Sequence, residues 1–228
     1  MASVKSADKI EEGGIFALYS KELRTDLVGL AYYGMYALQH RGQESAGFSI
    51  ADTISENEMK LKTVKGKGLV ADVFSLDDLQ SYTGNILIGH LKYATEGGAS
   101  SHSYQPLRGE SIMGKVSIVH NGNLVNMKEV KEELMENGSL FQTKTDTEII
   151  LKLLGKNAKY GYRQSVLNTL KKLDGAFAIG IIAENKLIGV RDPLGIRPLC
   201  LGKRNDGVYV LASESCALDA INAKFIRD

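Results

Sequence analysis

Along the chain, apolar runs alternate with Gly-, Asn- and Ser-rich breaks, and their length and period sort them into elements. The run at 14–19 is too short for a helix and suits a buried strand. From Asp26, placed to cap a helix, Leu27, Leu30, Ala31, Gly34 and Leu38 recur at steps of three and four. That spacing predicts one apolar helical face ending near His40, with Gly42 as the stop. Short strands are expected at 46–51, 60–64, 86–90 and 115–120, set apart by turn residues. Helices are expected at 126–136, closed by Asn137-Gly138, at 146–154, closed by Gly155, and at 163–173. Strands return at 176–183 and 186–190, then at 199–202 and 208–212, each pair around a hairpin-length turn. This order argues for one antiparallel α+β domain and against a wound parallel sheet, and no repeat or linker divides it.

Composition narrows the function classes. The 228 residues are 43% hydrophobic, enough for a large core, and 28 Lys+Arg against 27 Asp+Glu leave a net charge of +1. Such a balance makes no field that would gather nucleic acid or an anionic membrane. No apolar run approaches the ~20 residues of a bilayer span, and the polar stretch at 1–12 is unlike a secretory signal, so a cytoplasmic protein is expected. Cys200 and Cys216 cannot form a disulfide framework or a CxxC metal pair.

Several motifs carry little weight. Gly66, Gly68 and Ala71 fit the spacing of a dinucleotide fingerprint, but the segment after them breaks at Ser75-Leu76-Asp77-Asp78 before a helix can face a pyrophosphate. There is no P-loop, GxSxG elbow or HExxH pair. His40, His90, His102 and His120 are scattered, and structural hydrogen bonding is their simpler role.

More informative are polar residues beside glycine at the ends of expected strands: Gln39 to Glu44, Gly89 to Thr95, His120-Asn121-Gly122-Asn123 and Thr145-Asp146-Thr147-Glu148. Taken singly, Asn121-Gly122 reads as a hairpin turn and Asp146 as a helix N-cap with Glu148 in its first turn. Together they form a set able to recognise an amino acid. It has cations for an α-carboxylate, a carboxylate for an α-ammonium, and an amide plus a backbone N–H for an oxyanion.

These stretches also carry a resemblance. Leu38-Gln39-His40-Arg41-Gly42-Gln43-Glu44-Ser45-Ala46-Gly47, Lys65-Gly66-Lys67-Gly68-Leu69-Val70, His120-Asn121-Gly122-Asn123-Leu124-Val125-Asn126, Asp146-Thr147-Glu148, Asp192-Pro193-Leu194-Gly195-Ile196-Arg197-Pro198-Leu199 and Ser213-Glu214-Ser215-Cys216 stand in one order. In them the chain, from residue 11 onward, resembles the glutaminase half of the amidophosphoribosyltransferase family, class II N-terminal-nucleophile glutamine amidotransferases of purine synthesis. The resemblance implies a four-layer αββα sandwich of antiparallel sheets that hydrolyses glutamine to glutamate and ammonia, without a cofactor. In such enzymes an N-terminal Cys, freed from a short leader, attacks the amide with its own α-amine as base. Carried over, Asn121 and the Gly122 N–H would form the oxyanion hole and Asp146 would hold the substrate ammonium. Arg41 would close beside the nucleophile, and Lys92, Tyr93 and Thr95 would belong to a loop over the glutamine at 92–98.

Three departures change what is expected. Gly13 stands where the family has its nucleophilic Cys, so residues 1–12 should stay attached as a leader to the domain at 13–228, and the chain should be inactive. Lys92 replaces the usual Arg at the substrate carboxylate, keeping the charge and losing the bidentate fork. No acidic pyrophosphate loop is present, so the phosphoribosyltransferase domain is expected to be absent and the ammonia acceptor to lie elsewhere. Gly13 is open to two origins, a deliberate knockout and a natural pseudoenzyme acting as a glutamine-binding or regulatory subunit. Docking to a phosphoribosyltransferase partner chain and a homo-oligomer are further expectations, with an apolar surface near Phe225 and Ile226 as the contact.

Overall fold

The structure, a computed structural model, describes residues 13–54, 58–75, 81–93 and 101–228; the expectations for the leader, for Thr95 and for the rest of 94–98 lie outside the described residues. Strand β1 (Gly13–Arg24) leads into α1 (Leu27–Ala37), then β2 (Ser45–Asp52), β3 (Lys60–Lys67), the one-turn α2 (Val70–Val73) and β4 (Gly84–Lys92). A second group follows: β5 (Leu107–Ser111), β6 (Gly114–Leu124), α3 (Met127–Glu136), α4 (Asp146–Lys156), α5 (Tyr162–Leu170), β7 (Gly175–Ala183) and β8 (Lys186–Arg191). The chain then returns through β9 (Cys200–Arg204), β10 (Tyr209–Ala212), α6 (Cys216–Asp219) and β11 (Ala223–Arg227). Among the described residues no helix is long and apolar enough to cross a membrane.

The strands form a seven-stranded sheet, β11-β9-β10-β1-β4-β2-β3, and a four-stranded sheet, β5-β6-β7-β8. Every pairing is antiparallel. Alternation along β1 explains why the sheets stack. Ile15 and Ala17 face the smaller sheet, with Ile86, Ile88, Val119, Ala178 and Ile182, whereas Phe16 and Leu18 face the opposite way onto Leu27, Ala31 and Met35 of α1. The smaller sheet buries Ile118, Phe177, Ile179 and Ile181 against Ile150, Leu154 and Val166 of α4 and α5. Helix, sheet, sheet and helix make four layers, the αββα sandwich expected from the motifs.

Two strands escape the apolar pattern. β5 and β11 are five residues long and bury one side chain each, so too few hydrophobic residues remain to mark them. On β11, Phe225 and Ile226 are 56% and 48% exposed. Asp26 precedes α1 as expected but makes no side-chain cap; its carboxylate takes Arg24 Nε and Nη2 instead, each at 2.7 Å. That ion pair draws the Asp26 carboxyl below its usual range.

Helix α1 rests on β1 through Gly34, where an added Cβ would stand 2.2 Å from the Phe16 ring, whereas one at Gly29 meets nothing within 4 Å. The two glycines should therefore respond oppositely to Ala. Gly29→Ala should raise stability by about 0.5–1 kcal/mol through helix propensity. Gly34→Ala should lower it by about 1–3 kcal/mol because the overlap outweighs that gain. Denaturant unfolding of both variants checks the pair, and equal effects would contradict the packing.

Candidate functional site

The site is built where the first strand of one sheet meets β6 of the other. β1 is held at its start by the motif after β10. The Ile15 N–H donates to Ser213 Oγ, and the Ser213 N–H donates to the Ile15 carbonyl, both at 2.9 Å. The next residue, Glu214, accepts Arg41 Nη1 at 2.6 Å, and Arg41 Nε donates to the Gly13 carbonyl at 2.8 Å. Arg41 thus reaches the site through the backbone of Gly13 and is not part of the cavity wall.

Across the sheets, the Gly13 N–H donates to Asn121 Oδ1 at 3.0 Å. With its oxygen so engaged, the carboxamide has its orientation set, and its Nδ2 is buried with no hydrogen-bond partner among the described residues. Gly122 follows with φ +139°, and a Cβ there would come within 2.0 Å of the Ala176 carbonyl oxygen, so only glycine fits. The Asn121-Gly122 pair is therefore no hairpin turn: β6 runs on, paired with β7, to Leu124↔Gly175. The Phe177 carbonyl opposite Gly122 accepts from the Asp192 N–H on its far side. By strand alternation, the Gly122 N–H then points away from β7, the way the Leu124 N–H points.

The Leu124 N–H is taken by Asp146 Oδ2 at 2.7 Å. Thr145, not Asp146, occupies the N-cap of α4, and Asp146 is the first helical residue, which frees its carboxylate to reach β6. Glu148, one turn in, accepts the Gln142 and Thr143 N–H groups and Thr143 Oγ1, pinning the loop before α4.

These elements enclose a cavity of about 930 Å³, whose wall includes Gly13, Lys92, Asn121, Gly122 and Asp146, with Tyr93 at its exposed rim. Lys92 pairs with Gly13 at the end of β4, and its Nζ lies 3.9 Å from Glu44 Oε2, both side chains largely buried. The wall also carries His90 and His120, which sequence reasoning had set aside as structural. Both are buried, and His90 Nδ1 and Nε2 and His120 Nε2 have no hydrogen-bond partner among the described residues. Burial pushes both imidazoles down to about 3, helped at His90 by the charges of His120 and Lys92 and at His120 by that of Arg197. A signal was present: His90 precedes Lys92 by two and His120 precedes Asn121 by one, on strands ending at the same place.

The arrangement can hold an amino acid by both charges and present two donors to a carbonyl oxygen. It cannot attack that carbonyl from position 13, where there is no side chain. The backbone N–H groups of the fingerprint-like segment are occupied: Gly68 N–H by the Glu44 carbonyl, Leu69 N–H by Asp72 Oδ2 and Val70 N–H by Gln39 Oε1. Among the described residues no cluster of three or more His, Cys, Asp or Glu could hold a metal.

A profile described as a glutamine amidotransferase domain matches residues 91–220, more than half of the chain. "Amidophosphoribosyltransferase 3, chloroplastic" of Arabidopsis thaliana is 39% identical over all of this chain and 42% of its own length. Among solved structures, one described as that of the allosteric regulatory enzyme of purine biosynthesis superposes with a TM-score of 0.86 at 39% identity, over 94% of this chain and 44% of that one. The glutamine phosphoribosylpyrophosphate amidotransferase from B. subtilis, complexed with ADP and GMP, gives 0.84 at 38% identity, again over 94% and 44%. The chain spans less than half the length of each of these relatives.

The neutral imidazoles set a pH dependence. Folding depresses both pKa values below the ordinary 6.5, so the unfolded chain binds protons first as pH falls. Their contribution is complete above pH ~6.5 and is lost toward pH 3, at up to about 1.4 kcal/mol per pH unit for each imidazole. Denaturant midpoints between pH 6.5 and 5, above the carboxylate range, should fall along this slope, and His90→Gln should about halve it. A flat profile there would mean that the imidazoles titrate normally in the folded protein.

Proposed function

Because this chain belongs to the glutamine amidotransferase domain family, we propose that its cavity binds glutamine and that it is the glutamine-handling part of an amidophosphoribosyltransferase-type protein. The observation that carries this reading is Asn121, whose oxygen is taken by Gly13 N–H while its buried Nδ2 is left unpartnered beside Gly122. A buried donor without a partner costs about 1–3 kcal/mol, and a ligand oxygen would remove that cost. In the proposed complex, Asp146 takes the α-ammonium and Lys92 the α-carboxylate, with Tyr93 beside them at the rim. The side-chain carbonyl lies on Asn121 Nδ2 and the Gly122 N–H. Arg41 serves by fixing the backbone of Gly13.

We further propose that the chain as it stands does not turn glutamine over. Gly13 has no thiol, and while Glu12 is attached its nitrogen is an amide with no basic lone pair, so nucleophile and base are both missing. A glutamine-binding subunit without catalysis is the second reading, favoured by the same glycine in an otherwise furnished cavity. In either case the ammonia acceptor would be handled by a phosphoribosyltransferase partner, in the same chain or another, with the exposed Phe225 and Ile226 offering it, or a second copy, a contact.

The intact protein should release no ammonia from glutamine and should keep residues 1–12 in its mass spectrum. Calorimetry should still detect glutamine at millimolar concentration, and Lys92→Arg should tighten binding by an amount on the order of 1–2 kcal/mol. A folded protein giving no heat would count against the site.

Catalysis should be recoverable. A chain beginning at residue 13 with Gly13→Cys would carry thiol and amine together. Sulfur would add to the amide carbon, ammonia would leave to give a thioester, and water would release glutamate. An added Cβ would stand 3.0 Å from the Leu91 carbonyl oxygen and 3.2 Å from His90 Nε2, so cutting the chain before 13 also supplies the freedom for a small shift. Asn121→Ala in that background should lower kcat by about 10²- to 10³-fold. Lys92→Arg should act mainly on KM, because the carboxylate is held in ground and transition states alike. No ammonia from a folded chain with a free N-terminal Cys would refute the glutaminase ancestry of the geometry.

A further inference from the structure

Asn121 and Gly122 stand on a stretch of β6 that has lost its neighbour. β5 pairs with β6 only as far as Leu107↔Ile118. Beyond that register the outward N–H and C=O groups of β6 must find other partners, or the strand is free to twist. At His120 one side chain takes both. The His120 N–H donates to Gln105 Oε1 at 2.6 Å, and Gln105 Nε2 donates to the His120 carbonyl at 3.0 Å. A carboxamide offers acceptor and donor side by side as a peptide group does, so Gln105 stands in for a residue of the missing strand. Four residues on, Asp146 holds the Leu124 N–H. Gly122 lies midway between these two clamped positions.

Gln105 is itself seated firmly. It is 7% exposed, and its backbone lies on Gly47 of β2, where a Cβ would come within 2.3 Å of the Gln105 carbonyl oxygen. Lys65, the register partner of Gly47 on β3, donates from Nζ to the Tyr104 carbonyl at 2.6 Å and to the Pro106 carbonyl at 3.2 Å. The bonds on either side of Gln105 are thus anchored to the seven-stranded sheet while its side chain grips the four-stranded one. Gly47 and Lys65 both stand in sequence motifs, at positions to which the proposed chemistry gives no role.

We infer that Gln105 is a positioning residue for the oxyanion donors: by holding both backbone groups of His120 it fixes the direction of the Asn121 carboxamide and of the Gly122 N–H. The inference rests on reading Asn121 and Gly122 as those donors. It gives a reason for the segment at 104–106 to be tied down by the Lys65 ammonium.

Two readouts test it. In the chain as it stands, amide exchange followed by NMR reads the clamp: Gln105→Leu should speed exchange at His120 by at least about tenfold, while Ile118, within the β5 pairing, keeps its rate. The Asn121 side-chain amide resonances should move as well. In the Gly13→Cys chain beginning at residue 13, Gln105→Leu should lower kcat on the order of 10- to 100-fold with KM held within about twofold. Gln105→Glu, which can still accept from the His120 N–H but cannot donate to the carbonyl, should fall between. Should Gln105→Leu fail to fold, Lys65→Met loosens the same seat without touching β6 and should shift both readouts in the same sense. Unchanged exchange at His120 in a folded variant overturns the clamp, whatever becomes of the glutaminase reading. Faster exchange with unchanged kcat, or with a loss confined to KM, overturns the positioning role. If the Gly13→Cys background releases no ammonia, the glutaminase reading is what fails, and exchange together with the Asn121 resonances decides the role of Gln105.

Discussion

The hydrogen bond from the Gly13 N–H to Asn121 Oδ1 ties together residues 108 apart in sequence and belonging to different sheets. It can form only if β1 begins where β6 loses its neighbour, and the surrounding bonds enforce that meeting. Ser213 holds Ile15 from one side, Arg41 holds the Gly13 carbonyl from another, and Gln105 holds the backbone before Asn121. The result is a carboxamide with one end satisfied and the other held open, buried and facing a cavity. An arrangement that leaves a donor unpaired in the interior is costly unless a ligand completes it.

Packing makes that close approach possible. The layer between the sheets is built from Ile, Val and Ala, with Leu199 at its edge, so the sheets come near enough for a short side chain to bridge them. Phenylalanines fill the outer layers, where Phe16 and Phe48 pack with α1 and α2, and Phe177 with α4 and α5. The helices are thereby supports for the sheets, and α4 serves a second purpose: its first residue, Asp146, closes one side of the site.

Electrostatically the cavity is divided. Lys92 and Asp146, of opposite charge, both stand on its wall, and Glu44 lies near Lys92. Between them the His90 and His120 rings stay neutral across the physiological range, so they add polar atoms without adding charge. Residue 13 is tight rather than vacant, since an added Cβ would stand 3.0 Å from the Leu91 carbonyl oxygen.

Much of this architecture was legible in the chain. Apolar period placed the central strands and the four longer helices to within a few residues, because a strand buried on both faces or a helix with one apolar stripe must declare itself in composition, whereas the one-turn helices α2 and α6 are too short to show a period. The motifs that hold Lys92, Asn121 and Asp146 read singly as turns and caps, and it is their combination that pointed to residues lining one cavity. Strands β5 and β11 stayed hidden, as one buried side chain in five leaves too little pattern. Only the tertiary structure decided that Asn121-Gly122 continues a strand, that Asp146 reaches back to Leu124, that His90 and His120 are buried neutral, and that Gln105 replaces a missing strand partner. Each depends on which backbone groups remain unpaired after the sheets assemble, a property of pairing between segments far apart in sequence that no local pattern encodes.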